Sequence, residues 1–421
     1  MKRYLLRTPT NDYGIKDGLF EAIESHGTLK SDQYAEYLEV GSDHLVSPGL
    51  IDLHVHLREP GEEWKEDIAS GSRASLLGGF THICCMPNTK PVNDSPEVTA
   101  FIREQSKKVG VRVSPIGAVS KGLKGEEFAP LYDLYEAGCV AFSDDGAPIH
   151  DPLMMRRALE ITKSLKVPIT AHEEEKSLTR HGVMNESALS LAMGLKGMPK
   201  AAEDIMIARD IELARLTGGH VHICHLSSGR SVHLIRRAKS DGINITAEVT
   251  PHHLMLTEKE VGNYDTNAKM SPPLREEEDI VALLEGLNDG TIDCIASDHA
   301  PHDTECKRVE FVKASFGILG LQTTLPLCLE LVRGKKISMA MMMKALTYNP
   351  AKIFNLPGGE IKVGSPADLI VIDLQSKFTL ANTNASKSTN SPFWEVELQG
   401  RARHVFVGGR LLVKDFCSHQ S

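Results

Sequence analysis

Eight short apolar runs, each followed by a stretch of helical spacing, constrain the fold of this chain more than any other feature. The runs are 49–54, 81–86, 112–117, 139–142, 168–171, 220–225, 244–249 and 293–296. The intervening helical patterns include 66–77, 96–109, 152–165, 201–217, 231–239 and 277–287. Short continuous apolar runs suit strands buried on both faces, and their alternation with helices argues for an α/β fold with a parallel sheet. Eight is the number that closes a (β/α)8 TIM barrel. A doubly wound open sheet is the competing architecture, but no Gly-x-Gly-x-x-Gly turn follows the first run.

The two ends read differently. Residues 1–48 lack helical periodicity and carry several turn residues. Beyond Asn355 come Pro357-Gly358-Gly359 and the apolar stretch 369–372, and Gly408-Gly409 sits between apolar runs as in a hairpin. The expected organisation is a barrel over 49–354, with 1–48 and 355–421 joining as one small β-rich domain. The Asn-, Ser- and Thr-rich segment 381–392 reads as a solvated loop.

Composition narrows the setting. A chain of 421 residues with 41% hydrophobic content can bury a large core. The net charge of −9 and the lack of a Lys/Arg stripe argue against nucleic acid. No apolar run approaches the ~18 residues of a membrane span. The basic, briefly apolar start is too short for a secretory signal. None of the eight cysteines forms a Cys-x-x-Cys pair, which suggests a reducing cytoplasm and no disulfide framework.

In a barrel, reactive groups belong at the C-terminal ends of the strands. The first run ends in His54-Val55-His56, and strand residues i and i+2 share a face, so two imidazoles converge as metal ligands do. A lone His-x-His also arises from two ordinary histidines. Here, however, the pattern recurs. The second run is followed by Pro87-Asn88-Thr89 and the fourth by Ser143-Asp144-Asp145-Gly146. The fifth ends at His172-Glu173, the sixth at His225 and the eighth at Asp298-His299-Ala300-Pro301-His302. His54, His56, His172, His225 and Asp298 supply five candidate ligands. A two-metal site also needs a bridging anion, for which Asp145 and Asp144 compete, Asp144 having a turn or capping role as its plainer reading.

The runs His54-Val55-His56-Leu57-Arg58-Glu59-Pro60-Gly61, Met86-Pro87-Asn88-Thr89 and Asp298-His299-Ala300-Pro301-His302 together resemble the amidohydrolase superfamily. More narrowly, they are similar to the dihydroorotases of the type I bacterial group, in order along nearly the whole chain. Hydantoinases and allantoinases share the first motif but usually bridge their metals with a carboxylated lysine on the fourth strand. Here that strand runs into Asp144-Asp145 and offers no lysine. The resemblance implies two zinc ions bridged by Asp145 and a hydroxide, with His54, His56 and Asp298 on the more buried ion and His172 and His225 on the other. It implies substrate contacts from His56, Arg58, Asn88, His302, Phe316 and Gly317. Arginine suits a carboxylate because its planar fork binds two-pronged. Ser271 replaces the family's usual Asn before Pro272-Pro273-Leu274-Arg275, so a side-chain contact is shortened or bridged by water. Thr304-Glu305-Cys306-Lys307 departs from the usual Glu-Glu-Lys, and Cys306 is expected in a loosely held loop without a catalytic role.

The implied activity is reversible hydrolysis of dihydroorotate to N-carbamoyl-aspartate in pyrimidine biosynthesis, with attack by the bridging hydroxide and Asp298 as proton shuttle. The implied partners are the small-molecule substrate, a second copy in a homodimer and, for some such enzymes, aspartate carbamoyltransferase. Two other functions compete. One is a different cyclic-amide hydrolase, against which Arg58, Asn88 and the missing lysine speak. The other is a non-catalytic structural relative, in which eroded ligand positions would be expected.

Overall fold

The computed structural model describes residues 3–418. Strands Tyr4–Arg7, Asn11–Lys16, Leu19–Ser25 and Glu36–Glu39 form an N-terminal sheet. The next strand, His44–Pro48, leaves that sheet and pairs antiparallel with Leu369–Thr379 near the other end of the chain. Leu369–Thr379 pairs in turn with Glu397–Val407, which pairs with Arg410–Lys414. The last two strands are joined through Gly408 and Gly409 at φ 53° and 70°, the positive values that a two-residue turn matching the strand twist requires. Tyr4, Leu6, Ile15 and Phe20 from the first sheet share a buried cluster with Leu369, Val371 and Phe406 from the second. The two ends of the chain therefore bury one another's apolar faces.

Between them runs a succession of parallel pairings. Leu50–Val55 pairs with Phe80–Cys85, and Phe80–Cys85 with Arg112–Pro115. Gly117 bridges to Phe142, and Phe142 to Ile169. Ile169–Ala171, Val221–Ile223, Ile245–Val249 and Cys294–Ile295 follow in order. His299 then pairs with Val55, so the succession returns to the strand where it began. The fourth run, 139–142, departs from expectation because it makes isolated bridges at Phe142 and no regular strand. Its continuation is drawn away at Asp144, whose carboxylate accepts from Val119 N and Ser120 N.

Helices Ile68–Gly78, Pro96–Ser106, Pro152–Leu165, Ala201–Thr217, Gly229–Ser240 and Glu277–Asp289 lie close to their expected places. Local chemistry sets several of their starts. Asp67 accepts from Ser70 N in a capping box, and Asp151 caps a helix that opens with Pro152. Inside the strand circuit Ile51, Leu53, Cys84, Met86, Ile116, Cys224 and Cys294 make a dry cluster. All eight cysteines are free, and the six buried ones behave as small apolar residues, burial pushing the Cys224 thiol up to about 12.

One expectation holds only in part. Ala381, Asn382, Lys387 and Thr389 of segment 381–392 are exposed, but Ser388, Asn390 and Ser391 are buried, and its first residues belong to the short helix Leu380–Thr383. The buried polar side chains serve protein partners in place of water.

Candidate active site

A cavity of about 940 Å³ opens beyond the C-terminal ends of the parallel strands. It is lined by His56, Arg58, Asn88, Asp145, His172, His225, Ser271, Asp298, His302, Phe316 and Gly317, residues contributed by eight separate stretches of sequence. Of the residues singled out from the sequence, His54 lies just beneath this floor, fully buried.

Asp145 stands at the centre of the polar cluster. Its Oδ1 is 3.5 Å from His54 Nε2 and 3.9 Å from both His172 Nδ1 and His225 Nε2, while Oδ2 is 3.6 Å from His56 Nε2. Asp298 Oδ1 is 3.4 Å from His54 Nε2 and 3.2 Å from His56 Nε2. The neighbouring Asp144 points elsewhere and is spent on the backbone of Val119 and Ser120.

The cluster fits divalent metal. His54 Nε2 and Asp145 Oδ1 are buried without a hydrogen-bond partner, a costly arrangement that a cation between them would relieve. His172 Nδ1 and His225 Nε2 face each other at 3.0 Å. The triads His54–His56–Asp145, His54–His225–Asp298 and Asp145–His172–His225 each place three donor atoms close enough for one ion. Imidazole nitrogens and carboxylate oxygens suit zinc and its first-row neighbours.

Several residues that sequence reasoning passed over hold these groups in place. Glu248 accepts from His54 Nδ1 at 2.8 Å and from His222 Nε2 at 3.1 Å, which turns His54 Nε2 toward the cluster. Burial opposes its charge, yet the two imidazoles hold its carboxyl down at about 2. Asp52 accepts from His54 N and Ser297 N, tying the first strand to the turn before Asp298. Burial raises the Asp52 carboxyl to about 7 despite those donors. Each is an acid inside an apolar run, and that was the available signal. Asn88 joins the two halves of the cluster: Oδ1 accepts from His56 Nδ1 at 2.9 Å and Nδ2 donates to Asp145 Oδ2 at 3.1 Å.

The opposite wall carries Arg58. Its Nε donates to Pro301 O at 3.2 Å, and its Nη2 lies 3.4 Å from His302 Nε2. Burial, with the Arg58 charge beside it, pushes His302 down to about 2, so the imidazole is neutral and accepts at Nε2. Arg58, His225 and Asp298 have φ of 60°, 32° and 44°, left-handed values that non-glycine residues hold only where the surroundings impose them.

Comparisons with known proteins place the chain in a family. A family model described as dihydro-orotase-like matches residues 43–231. A dihydroorotase from Geotalea daltonii is 48% identical over 388 residues, covering 92% of this chain and 91% of its own length. One from Desulforapulum autotrophicum is 46% identical over 403 residues, covering 95% and 94%. The chain belongs to the dihydroorotase family. Among solved structures, an L-hydantoinase (dihydropyrimidinase) from Arthrobacter aurescens superposes with a TM-score of 0.86 at 24% identity. It is matched over 99% of this chain and 97% of its own. A dihydropyrimidinase from Brevibacillus agri gives 0.85 at 23% identity, over 99% and 96%. At those identities the likeness concerns the fold alone. No helix among the described residues is long and apolar enough to cross a membrane.

In this dihydroorotase-family chain the loop after His302 is firmly tied, contrary to the loose loop expected around Cys306. Lys307 is buried, and its Nζ donates to Ser315 O at 2.7 Å, Thr266 O at 2.9 Å and Lys269 O at 3.4 Å. Lys269 Nζ donates to Phe311 O and Val312 O and sits 4.6 Å from the centre of the Phe316 ring. Two buried lysine side chains thus hold the pocket wall that Val312, Phe316 and Gly317 provide.

Proposed function

We propose that the protein is a zinc-dependent dihydroorotase of the type I bacterial group. It would interconvert dihydroorotate and N-carbamoyl-aspartate in pyrimidine biosynthesis. The observation that carries this reading is one cavity with two chemically distinct walls. One wall is the Asp145-centred cluster of four imidazoles and Asp298; the other is the Arg58–His302 pair. In this reading the strand circuit is a (β/α)8 barrel over 49–354, and 1–48 with 355–421 form one small β domain.

His54, His56 and Asp298 would hold one zinc ion, His172 and His225 the other, with Asp145 between them. Metal there supplies Lewis acidity and lowers the pKa of water toward neutrality. The Arg58 guanidinium takes the substrate carboxylate, with His302 neutral beside it, and so aims the ring amide at the cluster. Asp298 accepts a proton from the attacking water at a carboxylate oxygen and returns it to the ring nitrogen as the C–N bond breaks. Water thus adds across the amide, giving a carboxylate and a ureido nitrogen. Ring closure is the reverse and consumes one proton, so its equilibrium moves toward the ring as pH falls.

An assay of the purified, zinc-replete protein with dihydroorotate, hydantoin and allantoin tests the reading. Selective opening of dihydroorotate is expected. Preferential turnover of hydantoin or allantoin would overturn the role given to Arg58, and inertness toward all three despite bound metal would favour a structural relative.

A further inference from the structure

We infer that Asn390, in the C-terminal segment, is a positioning residue that sets the carboxylate-binding wall of the pocket. The inference rests on the dihydroorotase reading above. Segment 384–391 is tied down at two places. At one end Ser386 Oγ donates to Glu66, Lys387 N also donates to Glu66, and Ser388 Oγ donates to Lys65 O at 2.7 Å. These partners lie in the loop that follows Arg58. At the other end, behind the pocket-lining residues Ala300, His302 and Gly317, Asn390 is buried and uses both ends of its carboxamide. Oδ1 accepts from His302 N at 2.9 Å, and Nδ2 donates to Ala300 O at 2.9 Å and Gly317 O at 3.0 Å.

These three bonds bracket Pro301, the residue whose carbonyl accepts from Arg58 Nε. The clamp therefore fixes the acceptor that orients the guanidinium and the backbone that carries His302. It also draws Gly317 against Ala300. At φ 149° a Cβ on residue 317 would stand 2.6 Å from Ala300 O, so this approach is closed to side chains. Asn390 faces no reacting atom, and the metal-ligating cluster does not depend on it for any hydrogen bond. Its loss should loosen substrate recognition and leave the chemical step largely alone.

The test compares steady-state dihydroorotate hydrolysis by the zinc-loaded wild type, Asn390→Ala, Asn390→Asp and Gln322→Ala. Asn390→Asp keeps the shape but turns a carboxylate oxygen toward two carbonyls. Gln322 holds the far end of the segment through Thr383 O and Ala385 N and controls for general loosening. KM should rise about tenfold in both Asn390 variants with kcat within about threefold, as lost ground-state contacts predict. Gln322→Ala should lower thermal stability without moving KM. If Asn390→Ala does not fold, Asn390→Asp carries the comparison alone. An active wild type whose Asn390 variants keep the wild-type KM, or lose kcat in proportion to bound zinc, overturns the inference. A wild type inert toward dihydroorotate removes the functional reading and the inference with it.

Discussion

At the scale of single residues, the candidate centre depends on acids buried one layer behind the ligands. Glu248 fixes which nitrogen of His54 faces the cluster, and its carboxyl is held at about 2 by His222 and His54 against the opposing effect of burial. A carboxyl depressed in the folded state stabilises it above the ordinary value of about 4.3, and that contribution fades as pH falls toward the folded value. In metal-free protein, Glu248→Gln should cost on the order of 3 kcal/mol near neutral pH and flatten the loss of stability below about pH 4.3. Denaturant titrations across that range check it, and an unchanged acid limb would remove the role. Asp298 makes a separate prediction. Asp298→Asn keeps the side-chain size and one oxygen, so zinc content should be largely retained while turnover falls about 10²–10⁴-fold. Metal analysis beside kcat checks this, and near-normal turnover would take Asp298 out of proton transfer.

Elements were legible in proportion to how cleanly one force shaped them. Pro152–Leu165 stood out because Asp151 and Pro152 mark its start and one face is apolar. Thr324–Arg333 did not, because residues 324–329 are all buried and leave no polar stripe to set a period. Run 139–142 has strand composition and Val140 and Ala141 bond the neighbouring backbone, yet only Phe142 forms full bridges before the chain turns at Asp144. Segment 381–392 misled for a different reason. Asn, Ser and Thr satisfy buried backbone as readily as they meet water, and composition does not say which. The histidines and aspartates at the strand ends were recognisable because the fold repeats one register. Asn390 and Lys307 reach their partners through contacts far apart in sequence, which no spacing rule detects. For Lys307, replacement by Met leaves the carbonyls of Thr266, Lys269 and Ser315 without their donor. Lys307→Met should cost about 2–4 kcal/mol of stability and expose 304–316 to limited proteolysis. Wild-type protease resistance of that loop would show that the ammonium does not tie it.

For the whole molecule, the arrangement places a convergent, cation-demanding cluster at one end of a dry strand circuit. Sheets from both chain ends close over their own shared core. The chain as a whole carries a net charge of −9, so in the proposed reading attraction of an anionic substrate is local, from Arg58 and from metal. The proposed division of labour is that the cluster performs the amide chemistry and the Arg58 wall chooses the substrate. It is tested most directly by the ratio of kcat/KM for dihydroorotate to that for dihydrouracil, the same ring without the carboxylate, in the zinc-loaded wild type and in Arg58→Met. The account predicts a strong preference for dihydroorotate that falls by about 10²-fold or more in the variant, as expected when a buried charged contact is lost. A wild type that treats the two rings alike, or a preference that survives in Arg58→Met, would contradict it.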